Sequence, residues 1–153
     1  MKAIQDYYDG AHSHCYGCGR NNPHGHQLKT YWNSHGTGTI AHFTPASYYT
    51  GGVPDHVYGG MIASLIDCHG AATAAAYACK EAGIDIETPD APIRFVTASL
   101  QVSYLKPTPI DVELELRGKL KSIDGRKVWV DLEFAAGDTV CATGEMLAIR
   151  LRD

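Results

Sequence analysis

One stretch of the chain, residues 59–82, carries apolar side chains at the spacing of an α-helix. The recurring positions on its apolar face are Ile62, Leu65, Ile66, His69, Ala72 or Thr73, and Ala76. Alanine, the strongest helix former, is the commonest residue of the stretch, and Gly83 follows as a natural C-cap. The pattern predicts one long, slim helix from Gly59 to Ala82 that packs closely against a surface wrapped around it.

Shorter stretches predict six β-strands, several of them by alternation of apolar and polar residues. The predicted strands are Gln27–Trp32, Thr37–Phe43, Thr97–Leu105, Asp111–Lys121, Lys127–Phe134 and Thr139–Leu151. In the fourth strand the expected inward-facing residues are Val112, Leu114, Leu116 and Leu120. Asp124-Gly125 is a strong hairpin signal, and short hairpin links imply antiparallel pairing.

The order of two strands, one helix and four strands favours an α+β fold, with one strongly curved antiparallel sheet around a single central helix. A chain of 153 residues is the usual size of one domain. Residues 1–26 are punctuated by glycine and proline, so they are expected to form an irregular N-terminal segment. Residues 27–153 are expected to form the single folded domain.

Charge and composition exclude several classes of protein. Thirteen Lys and Arg against seventeen Asp and Glu give a net charge of -4, which argues against a nucleic-acid partner. No stretch approaches the ~20 apolar residues of a membrane span, and the N-terminus has no apolar core typical of a signal peptide. Five cysteines, an odd number, fit a reducing cytoplasm better than a secreted disulfide scaffold.

The start of the predicted helix is a candidate binding site for an oxyanion. Gly59 and Gly60 follow Tyr58 at the point where free backbone N–H groups and the positive end of the helix dipole are exposed. Glycine lets a ligand approach this backbone closely. A flexible helix junction with no ligand is the alternative interpretation.

Asp67 is a candidate catalytic carboxylate. It lies in the middle of an apolar helix, where aspartate is unfavourable, and small neighbours such as Ser64 leave room for a ligand beside it. A general base or nucleophile is the functional interpretation, and a solvated residue on an exposed helix face is the alternative.

Cys15-x-x-Cys18, with histidines around it, suggests a zinc site. A second Cys-x-x-Cys pair is missing, however, and the other cysteines fall in helix or strand. We therefore expect no metal here and interpret the motif as a compact loop. Cys68 and His69 are expected to be core residues, because adjacent helical positions do not face each other.

Basic residues cluster around the Asp124-Gly125 hairpin, among them Arg126 and Lys127. The usual meaning is a solvated surface. A phosphate-bearing ligand such as a nucleotide tail is the functional alternative, and Lys106 is a further candidate for the same role.

Three segments together resemble the hotdog-fold acyl-CoA thioesterases of the phenylacetate-pathway (PaaI-like) group. Residues 15–25, C-Y-G-C-G-R-N-N-P-H-G, resemble an N-terminal motif of one branch of that family. Residues 58–67, Y-G-G-M-I-A-S-L-I-D, resemble its His-Gly-Gly helix start with the active-site Asp. Residues 97–107 resemble the strand that begins with Ser or Thr and ends in Tyr-x-x-Pro. The likeness covers nearly the whole chain.

The resemblance implies a role for each matching residue. Asp67 is the catalytic carboxylate, the Gly59 N–H with Gly60 beside it polarises the thioester carbonyl, and Thr97 helps to hold the water. Tyr58 replaces the family's histidine, and Gly52 stands where another branch has an asparagine. The substrate-binding candidates are Tyr58, His56, Ser64, Lys106, Arg126 and Lys127.

The function expected from the sequence is hydrolysis of an acyl-CoA thioester to a free acid and CoA, without a metal or redox cofactor. The alternatives are a non-catalytic hotdog acyl-CoA-binding protein, which Tyr58 favours, and a hotdog dehydratase. Gly60 and Asp67 are separated by roughly 10 Å along one helix, too far to act on one carbonyl. Two antiparallel chains are therefore expected to share each active site, in a homodimer or a homotetramer.

Overall fold

The computed structural model describes residues 1–152, which form one helix and six strands after two short 3-10 turns. The strands are β1 (Thr30–Trp32), β2 (Thr39–Phe43), β3 (Phe95–Tyr104), β4 (Leu114–Asp124), β5 (Lys127–Ala136) and β6 (Thr139–Arg150), and the helix α1 (Gly59–Ala82) lies between β2 and β3. The 3-10 turns are Ile4–Tyr7 and Gly10–His12.

The helix α1 has the predicted bounds at both ends. Tyr58 is its extended N-cap residue, and Gly83 ends it in the left-handed conformation with φ of 66°. The left-handed conformation is accessible to glycine at little energetic cost because glycine has no Cβ. The Gly83 N–H donates to the otherwise free carbonyl of Lys80. Gly83 thus gives the alanine-rich helix a defined C-terminal end.

The six strands form one antiparallel sheet in the order β1-β2-β4-β5-β6-β3. The predicted α+β architecture of a sheet around one central helix is confirmed. Strand β3 crosses over to the far edge and pairs only with β6 among the described strands. Its residues are mostly exposed along its length.

The core lies between α1 and the concave face of the sheet. Its largest fully buried side chains include Leu65 and Ile66 from the helix and Leu116 and Phe134 from the sheet. The helix approaches the sheet so closely that a Cβ at Gly70 would lie 2.7 Å from Met146 Cε. A slim helix is therefore required by the packing.

Three predicted strands, β1, β2 and β4, begin later than the sequence indicated, because a turn or loop conformation takes over. In β2 the Thr37 N–H donates to Asn33 Oδ1 at 3.0 Å, so Thr37 belongs to the preceding turn. Gln27 has φ of 55°, and its side-chain amide donates to the Asn22 carbonyl at 2.9 Å, so it belongs to the N-terminal loop. Asp111 also has a positive φ of 60°. Val112 therefore lies outside β4 and is 40% exposed, which corrects its expected inward orientation.

The N-terminal segment packs against α1 rather than standing apart from it. Ile4 is 3% exposed and joins a small apolar cluster with three alanines of the helix. Lys29 forms an ion pair with Asp6 at 2.6 Å.

Among residues 1–152, no helix is both long enough and apolar enough to cross a membrane.

His69 is a core residue, as expected, and is completely buried in a hydrogen-bond network. Its Nδ1 lies 3.0 Å from Thr30 Oγ1, and its Nε2 lies 3.2 Å from Thr39 Oγ1. The Gln5 amide donates to Thr30 and the Thr73 hydroxyl donates to the His69 carbonyl. Burial lowers the pKa of His69 from 6.5 to about 3, so the ring is neutral near pH 7.

Candidate active site

Asp67 is held in place by a direct contact from β3. The Thr97 hydroxyl donates a hydrogen bond of 2.6 Å to Asp67 Oδ1. Asp67 is partly buried, whereas Thr97 is exposed on the edge strand. The contact leaves Oδ2 of the carboxylate for a water or a substrate, and the Thr97 oxygen keeps lone pairs that accept a second hydrogen bond.

Asp67 and Thr97 line a cavity of about 260 Å³ between α1, β3 and the N-terminal loop. Its other walls are largely apolar or sulfur-containing, from Phe95, Ala71 and Cys68 among others. A carboxylate beside an apolar cavity can accept a proton from a water that is held in the same space.

The start of α1 carries the two glycine amides that the sequence predicts to be oxyanion donors. The N–H groups of Met61 and Ile62 both point back to the Tyr58 carbonyl, and Gly59 and Gly60 precede them in the first turn. The Gly59 and Gly60 amides come before the first residue with an intrahelical partner, and free amides of this kind can bind an anion. The Tyr104 hydroxyl donates to the Gly59 carbonyl at 2.7 Å and ties the end of β3 to this turn.

A second cavity, of about 550 Å³, lies at this helix start. It is lined by His56, Gly59, Gly60 and Lys106 of the predicted residues, together with Tyr104. Within residues 1–152 it shares no lining residue with the Asp67 cavity. One chain therefore carries the two halves of the predicted site in two different places.

Other predicted substrate-binding residues lie outside both cavities in the described part of the chain. The Ser64 hydroxyl bonds back to the Met61 carbonyl within the helix, and Tyr58 is 44% exposed beside Gly60. Arg126 donates to the Arg150 carbonyl at 2.9 Å, and Lys127 is exposed at the start of β5.

Two basic residues of β4, in the hairpin that β4 forms with β5, form ion pairs with acidic residues. Arg117 forms ion pairs with Glu115 and Glu133, and Lys121 pairs with Glu145 at 2.6 Å. These two residues fit the solvated-surface interpretation. The phosphate-binding hypothesis thus depends on Lys106, Arg126 and Lys127.

Sequence reasoning missed Tyr104 and the position of Cys68. Tyr104 is 54% exposed, and its hydroxyl contacts the carbonyl of Gly59 at the helix start. Cys68 lies beside Cys15 and Cys18, with 3.7 Å between the Cys15 and Cys68 sulfurs. Hydrogen bonds from the Cys18 and Cys68 thiols lower the pKa of Cys15. The sequence signal that could have placed Cys68 near the candidate site was its position next to Asp67.

Comparison with known proteins identifies the family and the fold of the chain. A family model described as the thioesterase superfamily matches residues 55–143, which include α1 and most of the sheet. A thioesterase superfamily protein from Shewanella loihica PV-4 is 44% identical over 95% of this chain and 100% of that chain, with a TM-score of 0.69. No curated protein matches the chain.

Two further solved structures extend the comparison. Another thioesterase superfamily protein is 27% identical, covering 97% of this chain and 69% of that chain, with a TM-score of 0.68. A phenylacetic acid degradation-related protein from Ralstonia eutropha JMP134 is 16% identical over 81% of this chain and 85% of that chain, with a TM-score of 0.62, and it supports the fold alone. The matched family model, the 44% identity and the sheet around one helix together show that this chain belongs to the thioesterase superfamily and has the hotdog fold.

Proposed function

We propose that the protein is an acyl-CoA thioesterase, which hydrolyses an acyl-CoA to the free acid and CoA. The observation that carries the proposal is the Asp67 carboxylate, fixed at 2.6 Å by Thr97 beside a cavity of about 260 Å³. Family membership supports thioester hydrolysis in general. The acyl-CoA substrate and the role of Asp67 are our own assignments.

In the proposed reaction Asp67 acts as a general base. It takes a proton from a water that is also held by Thr97, and the water oxygen attacks the thioester carbon. The C–S bond then breaks, and the proton on Asp67 passes to the leaving CoA sulfur. Direct attack by the carboxylate, followed by hydrolysis of the anhydride, is the covalent variant of the same chemistry.

The developing oxyanion is stabilised by the N–H groups of Gly59 and Gly60 at the start of α1. Preorganised backbone donors at a helix N-terminus suit a negative oxygen. A thioester has a reactive carbonyl of its own, so these steps need no cofactor. Tyr58 lies beside the donors in the position of the family's histidine, and His56 is a candidate for a further contact with the substrate.

The two halves of the site come from two chains in this proposal. Gly59 and Asp67 are eight positions apart, which is about 12 Å along the helix, but one carbonyl must contact both. Strand β3 is an open edge whose two ends are tied to the two halves: Thr97 bonds Asp67, and Tyr104 bonds Gly59.

Antiparallel pairing of β3 with its copy, centred between Leu100 and Gln101, would place Thr97 of one chain opposite Tyr104 of the other. The same two-fold axis brings Asp67 of one chain toward the partner's Gly59. The long exposed edge of β3 supports such pairing, since unpaired edges associate readily. We propose a homodimer with two equivalent sites, which can assemble further into a tetramer.

Lys106, Arg126 and Lys127 are proposed to bind the phosphates of CoA. Lys106 lines the cavity at the helix start, whereas Arg126 lies near the end of β6 that pairs with the beginning of β3. All five cysteines are free thiols, which supports the reducing cytoplasm as the compartment.

A panel of acyl-CoAs of different chain length and aromaticity, assayed with a thiol-trapping dye, tests the proposed function. Enzymatic release of free CoA from at least one member is expected. Binding of acyl-CoA without release of CoA would instead support the non-catalytic binding protein, which the replacement of histidine by Tyr58 favours. Addition of water to an enoyl-CoA would support a dehydratase.

A further inference from the structure

Three cysteine thiols converge on one wall of the Asp67 cavity, and the hydrolysis proposed above uses none of them. The sulfurs of Cys15, Cys18 and Cys68 all lie within 4.8 Å of one another. Cys15 and Cys18 come from the N-terminal loop, and Cys68 comes from the middle of α1. Cys18 and Cys68 are each 8% exposed, whereas Cys15 is open to solvent.

The N-terminal loop is shaped around the Cys15 sulfur. The Gly19 N–H donates to the Cys15 carbonyl at 2.8 Å, and the Leu28 N–H donates to the Gly17 carbonyl at 3.0 Å, so backbone hydrogen bonds fix the shape of the Cys-x-x-Cys turn. The turn holds the Cys15 sulfur 3.7 Å from the Cys68 sulfur, and thiolate sulfur is a preferred ligand of Zn²⁺. The loop thus presents Cys15 as a ligand rather than as an apolar side chain.

Glycine at position 17 is what allows the loop to reach the helix. A Cβ at Gly17 would lie 2.2 Å from the Cys68 sulfur, so any larger residue would push the loop cysteines away from Cys68. The close approach of loop and helix therefore depends on this residue.

From this geometry we infer that Cys15, Cys18 and Cys68 bind a zinc ion as three thiolates. A tetrahedral site with Zn–S bonds of about 2.3 Å has sulfurs separated by about 3.8 Å. The Cys15 and Cys68 sulfurs are 3.7 Å apart, and the other pairs need to close by 1 Å at most. Binding of Zn²⁺ releases three thiol protons and leaves a group with one net negative charge.

The fourth ligand position opens onto the cavity, which has room for a water. His12 and Arg94 line the same cavity. The ion joins the N-terminal loop to α1 at the residue next to Asp67. Its role is to fix the wall of the cavity, and it takes no part in the chemistry of the thioester.

This inference replaces the sequence-based expectation that the Cys-x-x-Cys loop holds no metal. That expectation depended on the lack of further ligands near the motif. Folding supplies a third thiol from a position 53 residues away along the chain.

The test uses the full chain without an affinity tag, purified under reducing conditions and free of chelators. Elemental analysis is expected to find close to one zinc per chain. The reduced apoprotein titrated with Co²⁺ should develop the near-ultraviolet absorption of cobalt–thiolate bonds, and Zn²⁺ should displace it. Binding of Zn²⁺ should also raise the thermal midpoint of the apoprotein.

Single substitutions locate the site. Cys15→Ser and Cys68→Ser should each lose the stoichiometric zinc and the cobalt–thiolate absorption, and Cys15→Ser serves if the buried Cys68 variant fails to fold. Cys79→Ser and Cys141→Ser, which change cysteines outside the cluster, should retain both. Reduced wild-type protein that takes up no zinc, Cys15→Ser that keeps the metal, or a Cys15–Cys68 disulfide found by mass spectrometry in the isolated protein would overturn the inference.

Discussion

Asp67 is the residue on which the proposed reaction depends most. Asp67→Asn keeps the shape of the side chain and can still accept the Thr97 hydrogen bond, but it removes the base. We expect the turnover rate to fall on the order of 10²–10⁴-fold while the fold is retained. Steady-state assays on the best acyl-CoA, with circular dichroism as a check on folding, measure both.

The matched control for this substitution is Asp90→Asn, which makes the same change at an exposed loop position. It should turn over at the wild-type rate. Asp67→Asn protein that is folded and almost fully active would show that another group is the base.

Thr97 should contribute less than Asp67, because it positions the carboxylate and the water rather than transferring a proton. Thr97→Val removes the hydroxyl at nearly constant volume, and Thr97→Ser retains it. We expect Thr97→Val to lower kcat and Thr97→Ser to restore most of it. Equal kcat values for the valine and serine variants would argue against a role for the 2.6 Å contact.

At the scale of elements, α1 carries the proposed oxyanion donors at its start and Asp67 about two turns later. If each site takes one of these from each chain, two differently damaged chains should complement each other. One inactive variant is Asp67→Asn, and the other is a Gly59→Pro/Gly60→Pro double that removes the helix-start donors. After subunit exchange, a mixed dimer would hold one intact site and one doubly damaged site, so part of the activity should return. Folded mixed dimers with no activity, or an active monomer, would refute the shared site.

The hairpin between β4 and β5 should affect affinity more than chemistry. Arg126→Ala/Lys127→Ala removes cations proposed to contact phosphates, and such contacts are similar in the ground and transition states. KM should rise with little change in kcat, and the effect should shrink at high salt. Lys119→Ala, a nearby change on β4, is the control, and an unchanged KM in the double variant across a salt series would exclude the role.

For the whole molecule, His69 links stability to pH. Its pKa is lowered by burial from 6.5 to about 3, so below pH 6.5 the unfolded chain binds a proton that the folded chain excludes. Stability contributed by the neutral ring is complete above pH 6.5 and falls as the pH drops toward 3. At pH 5 the loss should be about 2 kcal/mol relative to pH 7.

Denaturant unfolding of the wild type and of His69→Gln at pH 7 and pH 5 measures this linkage. Glutamine does not titrate, so its stability should fall less between the two pH values, whatever its absolute stability. Parallel losses in the two proteins would show that His69 is accessible to protons in the folded state.

Much of the fold follows from the sequence alone, because the patterns that specify it are local. The spacing of apolar residues and Gly83 defined both ends of α1, and short stretches between turn signals, several of them alternating, located all six strands. Asp67 stood out because a lone carboxylate conflicts with its apolar surroundings. The Gly59-Gly60 pair was recognisable because a helix start has free N–H groups wherever it occurs.

The tertiary structure decided whatever depends on contacts between distant parts of the chain. Strand ends shifted where loop residues such as Gln27 and Asp111 adopt a positive φ that periodicity does not report. The crossover placed β3 at an open edge, which tied Thr97 to Asp67 and Tyr104 to the helix start. The packing of the N-terminal loop on α1 brought Cys15 and Cys18 to Cys68. Such contacts arise from the packing of loop, helix and sheet around one core, and no local pattern encodes them.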